Sequence, residues 1–282
     1  MNLCDELTIR MLLERHGFHF SKSMGQNFLI DPQIPADIAA ASQADETCGV
    51  LEIGPGIGPL TSELAQRAGK VVSIELDRAL LPILTETMAP YSNVEIVPGD
   101  VTRLDLKALI GEKFAGLRPI VCANLPYNIT TPILELLWDG GLPIRQISVM
   151  VQKEVADKLL AAPSTPAYSL TSVRCQYRTI PQLVQVVPAE CFTPPPKVDS
   201  AFVRMDMRAQ PPAPVADEAL LWRMVKAGFG MRRKTLINAL KGVVEGEAVR
   251  AALSALGLQE TVRGEALAVE TWIALANACA RE

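Results

Sequence analysis

From Val50 onward the chain repeats one arrangement: a short apolar run rich in β-branched residues, then a stretch with helical spacing, then another run. The runs are "GVLEIG", "KVVSIEL", "NVEIVPGD", "PIVCANL" and "QISVMVQ", and segments between them, such as 60–68 and 79–88, place apolar residues on one helical face. Neighbouring strands joined by helix-length connections run parallel, so the pattern predicts an α/β fold with a doubly wound, Rossmann-like sheet. Two later runs, "QLVQVV" and "SAFVRMDM", flank "PAECFTPPPKVD". That connection is too proline-rich for a crossover helix, so the last strand is predicted antiparallel to its neighbours.

The stretch "RAQPPAPVADE", Arg208 to Glu218, concentrates proline and alanine without a period, the composition of a linker, and the pattern beyond it is helical. The boundaries predicted are 1–208 for the sheet domain, with residues 1–30 as a helical and loop extension, and 209–282 for a smaller α-helical domain. The amino terminus carries Asp5, Glu6 and Arg10 rather than an unbroken apolar stretch, which predicts neither a leader nor a membrane span, and so a cytoplasmic protein. Six cysteines lie scattered without a C-x-x-C pair, and His16 and His19 have no nearby cysteine, so reduced core cysteines, surface histidines and no metal are expected. A net charge of −4 opposes wholesale nucleic-acid binding. Any such surface must be local, and one segment qualifies: Trp222 to Gly242 holds Arg223, Lys226, Arg232, Arg233, Lys234 and Lys241 with no acid.

"VLEIGPGIGPLTSELA" joins the first run to a helix, and Gly54, Gly56 and Gly58 let backbone approach a ligand at the helix amino terminus. A dinucleotide fingerprint begun at Gly54 requires glycine at position 59, where Pro59 stands. Glu52, Glu75 and Asp100 fall at or near the ends of three successive runs, and Glu75 has the spacing of a ribose-hydroxyl partner. Carboxylates repel a pyrophosphate but attract the sulfonium and ammonium of S-adenosylmethionine. The pocket therefore reads as a methyl-donor site.

The run "PIVCANL" ends in Asn124-Leu125-Pro126-Tyr127, where proline stops the strand and turns the chain into a loop offering an amide, bare carbonyls and a flat ring. Adenine's exocyclic nitrogen is a poor nucleophile because its lone pair is delocalised into the ring. Accepting its two hydrogens, one on the Asn124 amide oxygen and one on the carbonyl of Leu125 or Pro126, aims that lone pair at a methyl group. Tyr127 can stack on the base.

These stretches, with "SMGQNFLID", "IELD", "PGDVTRLD", "ANLPYNITTPIL", "FTPPPKVDSAFVRM" and "FGMRRKTLINAL", resemble the ribosomal RNA adenine dimethyltransferases, in order from about residue 23 to 240. The bacterial small-subunit branch is the most similar in wording. The resemblance implies a class I methyltransferase domain that dimethylates N6 of two adjacent adenines in the 3′-terminal hairpin loop of 16S rRNA, within a pre-30S particle, and acts as a monomer. It further implies that Asn27, Leu29, Gly54, Glu75, Asp100 and Asn124 hold the cofactor. Asn124, Leu125, Pro126, Tyr127 and Phe192 would form the catalytic pocket, Phe192 sandwiching the extruded base opposite Tyr127. Arg223, Lys226, Arg232, Arg233 and Lys234 would dock RNA. Ser21-Lys22-Ser23-Met24 is less basic than the family's usual version, and "PAYSLTSVRCQY" departs from it at Leu170-Thr171. Two other function classes fit parts of the sequence: a ribosome-assembly factor with secondary catalysis, and a small-molecule methyltransferase.

Overall fold

The computed structural model describes residues 1–18 and 26–280, so His19 and the segment Ser21 to Met24 lie outside the described residues. The chain forms two compact units, Met1–Ala156 with Gln182–Met207, and Asp157–Pro181 with Arg208–Glu282. The helical unit thus takes in residues ahead of the proline-rich linker as well as those beyond it.

The strands are β1 (Cys48–Ile53), β2 (Lys70–Glu75), β3 (Val94–Pro98), β4 (Arg118–Asn124), β5 (Gln146–Gln152), β6 (Thr179–Val187) and β7 (Ser200–Met207), all within the first unit but for residues 179–181 of β6. They form one sheet in the order β3-β2-β1-β4-β5-β7-β6. The pairs β1–β2, β2–β3, β1–β4 and β4–β5 are parallel. β7 runs antiparallel to β5, from Gln146 opposite Asp206 to Gln152 opposite Ser200. Every residue of β1 is buried, as expected of a parallel strand covered on both faces, and this is why such strands read as unbroken apolar runs.

Helices α1 (Glu6–Arg15), α2 (Gln33–Ala41), α3 (Pro59–Ala65), α4 (Leu81–Met88), α5 (Leu106–Lys113) and α6 (Thr130–Asp139) flank the strands in sequence. Ile34 and Ile38 of α2 and Leu60 and Leu64 of α3 pack against Cys48, Val50, Val71, Ile120 and Cys122, which alternate along three strands and so share one face. A second cluster joins Ile9, Leu12 and Leu13 of α1 to Ile83, Leu84 and Met88 of α4. Phe28–Leu29 forms a short antiparallel bridge with Phe192–Thr193, Leu29 opposite Phe192.

Helix α7 (Lys153–Leu160) leads into the second unit, which contains α8 (Leu170–Arg178), α9 (Glu218–Gly230), α10 (Leu236–Ala239), α11 (Gly246–Ala255) and α12 (Val269–Cys279). Its core gathers Tyr168, Val173, Met224, Leu236, Leu253, Trp272 and Ile273. Asp217 starts α9 by accepting the Leu220 amide at 2.9 Å, where the linker ends. A Cβ on Gly228 would stand 2.6 Å from the Trp272 ring, so α9 lies against the indole at a distance only glycine permits. Among the described residues no helix is long and apolar enough to cross a membrane, no group of His, Cys, Asp and Glu could hold a metal, and the six cysteines are free.

Candidate active site

The strand order reverses at β1, whose neighbours β2 and β4 are reached by connections leaving in opposite directions, and loops there splay apart to open a crevice at the carboxyl ends of the strands. The cavity at this place is lined by four such segments, 52–56 with Pro59 and Leu60, 74–76 with Leu80, 99–101 and 124–129, together with residues 26–29. Asn27, Leu29, Gly54, Glu75, Asp100, Asn124, Leu125, Pro126 and Tyr127 are all on its wall.

Each loop is held by hydrogen bonds of its own or to the neighbouring strand. Gly54, Gly56 and Gly58 have φ of +70°, +63° and +95°, values at which a side chain is strained, and Gly58 precedes Pro59 at the first turn of α3. The Gly54 amide donates to Ile74 carbonyl oxygen at 2.9 Å and the Gly99 amide to that of Glu75 at 2.8 Å, tying the loops after β1 and β3 to β2. Asp100 Oδ1 accepts the Thr102 hydroxyl at 2.7 Å and the Thr102 amide at 2.9 Å. These two bonds, hydroxyl first, hold the Asp100 carboxyl below its ordinary range.

Glu75 and Glu52 behave differently from Asp100. Burial pushes Glu75 up to about 7, opposed by the amides of Asp77 and Gly56. Burial likewise pushes Glu52 up to about 7, against the hydroxyls of Ser73 and Thr61, which donate to its Oε2 at 2.6 and 2.7 Å. Glu52 is 1% exposed, so the carboxylate read from sequence as part of an acidic rim is a buried group bonded to two hydroxyls and only partly ionised at neutral pH.

In the loop after β4, Leu125 is buried, its amide donating to Met150 carbonyl oxygen at 3.1 Å, while Asn124 and Tyr127 are half-buried. The Pro126 carbonyl accepts the Thr130 hydroxyl at 2.9 Å and the Ile129 amide at 3.3 Å, so it is already engaged in starting α6. The Tyr127 hydroxyl shares a 2.5 Å hydrogen bond with Ser200 Oγ, which fixes the ring from β7. Burial pushes the Tyr127 phenol up.

Phe192 is 2% exposed and does not itself line the cavity; it packs in the core with Ile34, Phe202 and Leu29, the last of which it faces across the two-residue bridge and which does line the cavity. Two groups escaped sequence reasoning: Gln26, on the cavity wall next to the expected Asn27, and Ser200, the buried partner of Tyr127. The "DSAF" wording offered a signal for Ser200 only in its polar residue at the start of an apolar strand.

In the helical unit Arg223, Lys226, Arg233 and Lys234 are exposed, and among the described residues none has an ion-pair partner. Arg232 is engaged: Nε binds the Glu265 carboxylate, and Nη2 donates to the carbonyls of Thr165 and Pro166 at 3.2 and 3.1 Å. The five cations expected to act together are therefore four free ones and a brace.

Residues 17–281 match the family model for ribosomal RNA adenine dimethylase. The chain is 46% identical over 275 residues to the ribosomal RNA small subunit methyltransferase A of Geobacillus sp. (strain WCH70), covering 95% of this chain and 94% of that one. It is 42% identical over 274 residues to the protein of that name from Alkaliphilus oremlandii, covering 96% of each. Among solved structures it is similar to the 23S rRNA methyltransferase ErmE, with a TM-score of 0.71 at 28% identity over 90% of this chain and 100% of that one. A dimethyladenosine transferase from Plasmodium falciparum shares the fold, with a TM-score of 0.73 at 24% identity over 88% and 95% of the two chains. With the family's sequence carried over nearly the whole length, and a crevice that brings the acidic loops to Asn124 and Tyr127, the chain belongs to the ribosomal RNA adenine dimethylase family.

Proposed function

We propose that this protein transfers methyl groups from S-adenosylmethionine to N6 of adenines in 16S rRNA, two on each of two adjacent adenines in the 3′-terminal hairpin loop. The particle it acts on is an incompletely matured small subunit, and it acts as a cytoplasmic monomer. One observation carries the reading: the loop Asn124 to Tyr127 opens into the same cavity as Glu75 and Asp100, so an acceptor for an exocyclic amine lies beside a crevice suited to a nucleoside.

The wall fits the donor. Glycine backbone admits close approach at Gly54, the Glu75 carboxylate can accept ribose hydroxyls, Asp100 can read the adenine amino group, and Asn27 and Leu29 flank the methionine part. When bound, S-adenosylmethionine supplies a methyl group on a positively charged sulfur. The protein's own contribution is alignment. The Asn124 amide oxygen accepts one N6 hydrogen, and because the Pro126 carbonyl is engaged, the Leu125 carbonyl is the better acceptor for the other. Both stabilise positive charge as it develops on nitrogen, so no strong base is needed before attack. Tyr127, held by Ser200, gives the extruded base a fixed surface to stack on. Arg223, Lys226, Arg233 and Lys234 supply the phosphate contacts that an acidic chain otherwise lacks.

The test is to incubate the protein with S-adenosylmethionine and either naked 16S rRNA or partly assembled small subunits, and to measure dimethyladenosine by mass spectrometry. Dimethyladenosine confined to the 3′-terminal hairpin, and formed faster on the particle, is the expected result. Methylation of free nucleosides with no RNA product would overturn the reading.

A further inference from the structure

Beside Glu75 the cavity wall holds a polar side chain with half of its bonding unmet. Gln26 donates from Nε2 to Asp77 Oδ2 at 2.8 Å, while its Oε1 is buried without a partner. The amide has no freedom to turn round. A carboxylate can only accept, so Asp77 selects the NH₂ end and leaves the carbonyl end on the other side. Asp77 is fixed in turn, its Oδ1 accepting the Ala79 amide at 2.9 Å and its own amide donating to Glu75 Oε1 at 2.7 Å. Glu75, Asp77 and Gln26 therefore form one connected group whose free end is an acceptor.

A buried acceptor without a donor is costly, and on a cavity wall a ligand can bring the donor. The bonding capacity of Glu75 indicates which donor. A carboxylate has about four acceptor positions, and the Asp77 amide, at 2.7 Å, takes one on Oε1 of Glu75. A vicinal diol carries two hydroxyl donors, and Gln26 Oε1, tied to Glu75 through Asp77, offers the second a partner. We propose that Gln26 Oε1 accepts one ribose hydroxyl of the cofactor, sharing the diol with Glu75, and that Asp77 is the positioning residue that presents it. The inference rests on the reading of this cavity as an S-adenosylmethionine site.

Calorimetry of the full-length parent and Gln26→Met tests it, with S-adenosylhomocysteine, its 2′-deoxy and 3′-deoxy analogues, and 5′-methylthioadenosine as probes. Methionine keeps the length and removes both polar ends. Gln26→Met should weaken S-adenosylhomocysteine about tenfold. The deoxy analogue that loses about tenfold on the parent should bind the variant about as well as S-adenosylhomocysteine does, because the lost contact is the same one. The ratio of variant to parent should persist with 5′-methylthioadenosine, which lacks the amino-acid part. Equal deoxy penalties on both proteins overturn the proposal, as does a ratio of one with 5′-methylthioadenosine, which would place the contact at the methionine ammonium. Thermal unfolding without ligand establishes that the variant folds. If it does not, Asp77→Asn, which leaves Gln26 in place but lets its amide turn, should reproduce the affinity loss. A parent that binds none of the four nucleosides would overturn the cofactor reading itself, an outcome distinct from normal binding with an unaffected variant.

Discussion

Three carboxylates around the crevice and Arg232 of the helical unit are fixed in opposite ways. Asp100 is bonded to Thr102, Glu75 to Asp77 and Asp77 to Ala79, each two residues on. In the helical unit Arg232 reaches Glu265, Thr165 and Pro166, across 33, 67 and 66 positions of sequence. Short-range anchors shape a loop without supporting the fold, so their loss should fall on ligand binding and chemistry. Long-range anchors hold distant segments together, so their loss should fall on stability.

The two rings give the largest test of that division. Phe192→Ala removes a core side chain and should lower the unfolding free energy by about 3–5 kcal/mol. Tyr127→Ala, at the cavity wall, should cost much less stability but forfeit stacking of about 1–3 kcal/mol on the extruded base. Chemical denaturation together with single-turnover methylation separates them, and equal losses of stability would break the comparison. Tyr127→Phe keeps the ring but strands the buried Ser200 hydroxyl, so it should retain most activity and lose a little stability.

Next in size is Asn124→Ala, whose single-turnover chemical rate should fall about 10²–10³-fold, the cost of one preorganised polar partner, with an unmoved denaturation midpoint. A lower midpoint would make Asn124 a structural residue.

Glu52 sharpens the comparison from inside the crevice. Its folded-state pKa of about 7 lies above the ordinary carboxylate value of 4.5, so the folded protein holds the proton more tightly than the unfolded chain. Stability from this group is complete below the unfolded value and is lost as pH rises through about 7. Glu52→Gln should remove that loss, on the order of 3 kcal/mol between pH 4.5 and 8 for a group so deeply buried. Parallel stability curves for parent and variant would show that Glu52 stays ionised. Glu75 shifts the same way, and cofactor affinity should rise as pH passes through 7 because the ionised carboxylate is the better acceptor for hydroxyls.

The smallest effects divide the basic cluster. Arg232→Gln should cost about 1–2 kcal/mol, a discounted figure because the guanidinium is 38% exposed, and leave the salt dependence of RNA-particle binding unchanged. Arg233→Gln with Lys234→Gln should leave stability alone and reduce the slope of log affinity against log salt by about 1 to 2. The reverse assignment of the two effects would make Arg232 the phosphate contact.

This division also explains what could be read from sequence. The parallel strands were legible because burial on both faces writes itself as an apolar run, and the glycine turn because only glycine tolerates φ near +70° at Gly54. The ends of β2 and β4 placed Glu75 and Asn124 because strand order alone brings them to one crevice. Phe192 was less legible, since a ring at a strand end reads the same whether it faces a cavity or the core. Arg232 looked identical to Arg233 because nothing near it in sequence names Glu265 as its partner. The hydroxyls that bond the buried Glu52 lie 9 and 21 positions away. Gln26 owes its orientation to Asp77, 51 positions on.

The place of β7 in the sheet has a consequence for how the protein emerges from the ribosome. Synthesis delivers residues 146–152 and then 179–187 before 200–207, yet the last of these fills the position between the other two. While the chain is shorter than that, β5 has a bare edge, and Tyr127 lacks the hydroxyl that steadies it, because Ser200 opens the same late strand. Closing this gap is a long-range pairing, the slow kind of folding event. A nascent chain therefore passes through a stage in which the edge of β5 is bare and Tyr127 is unanchored, and the arrival of one strand ends both conditions together.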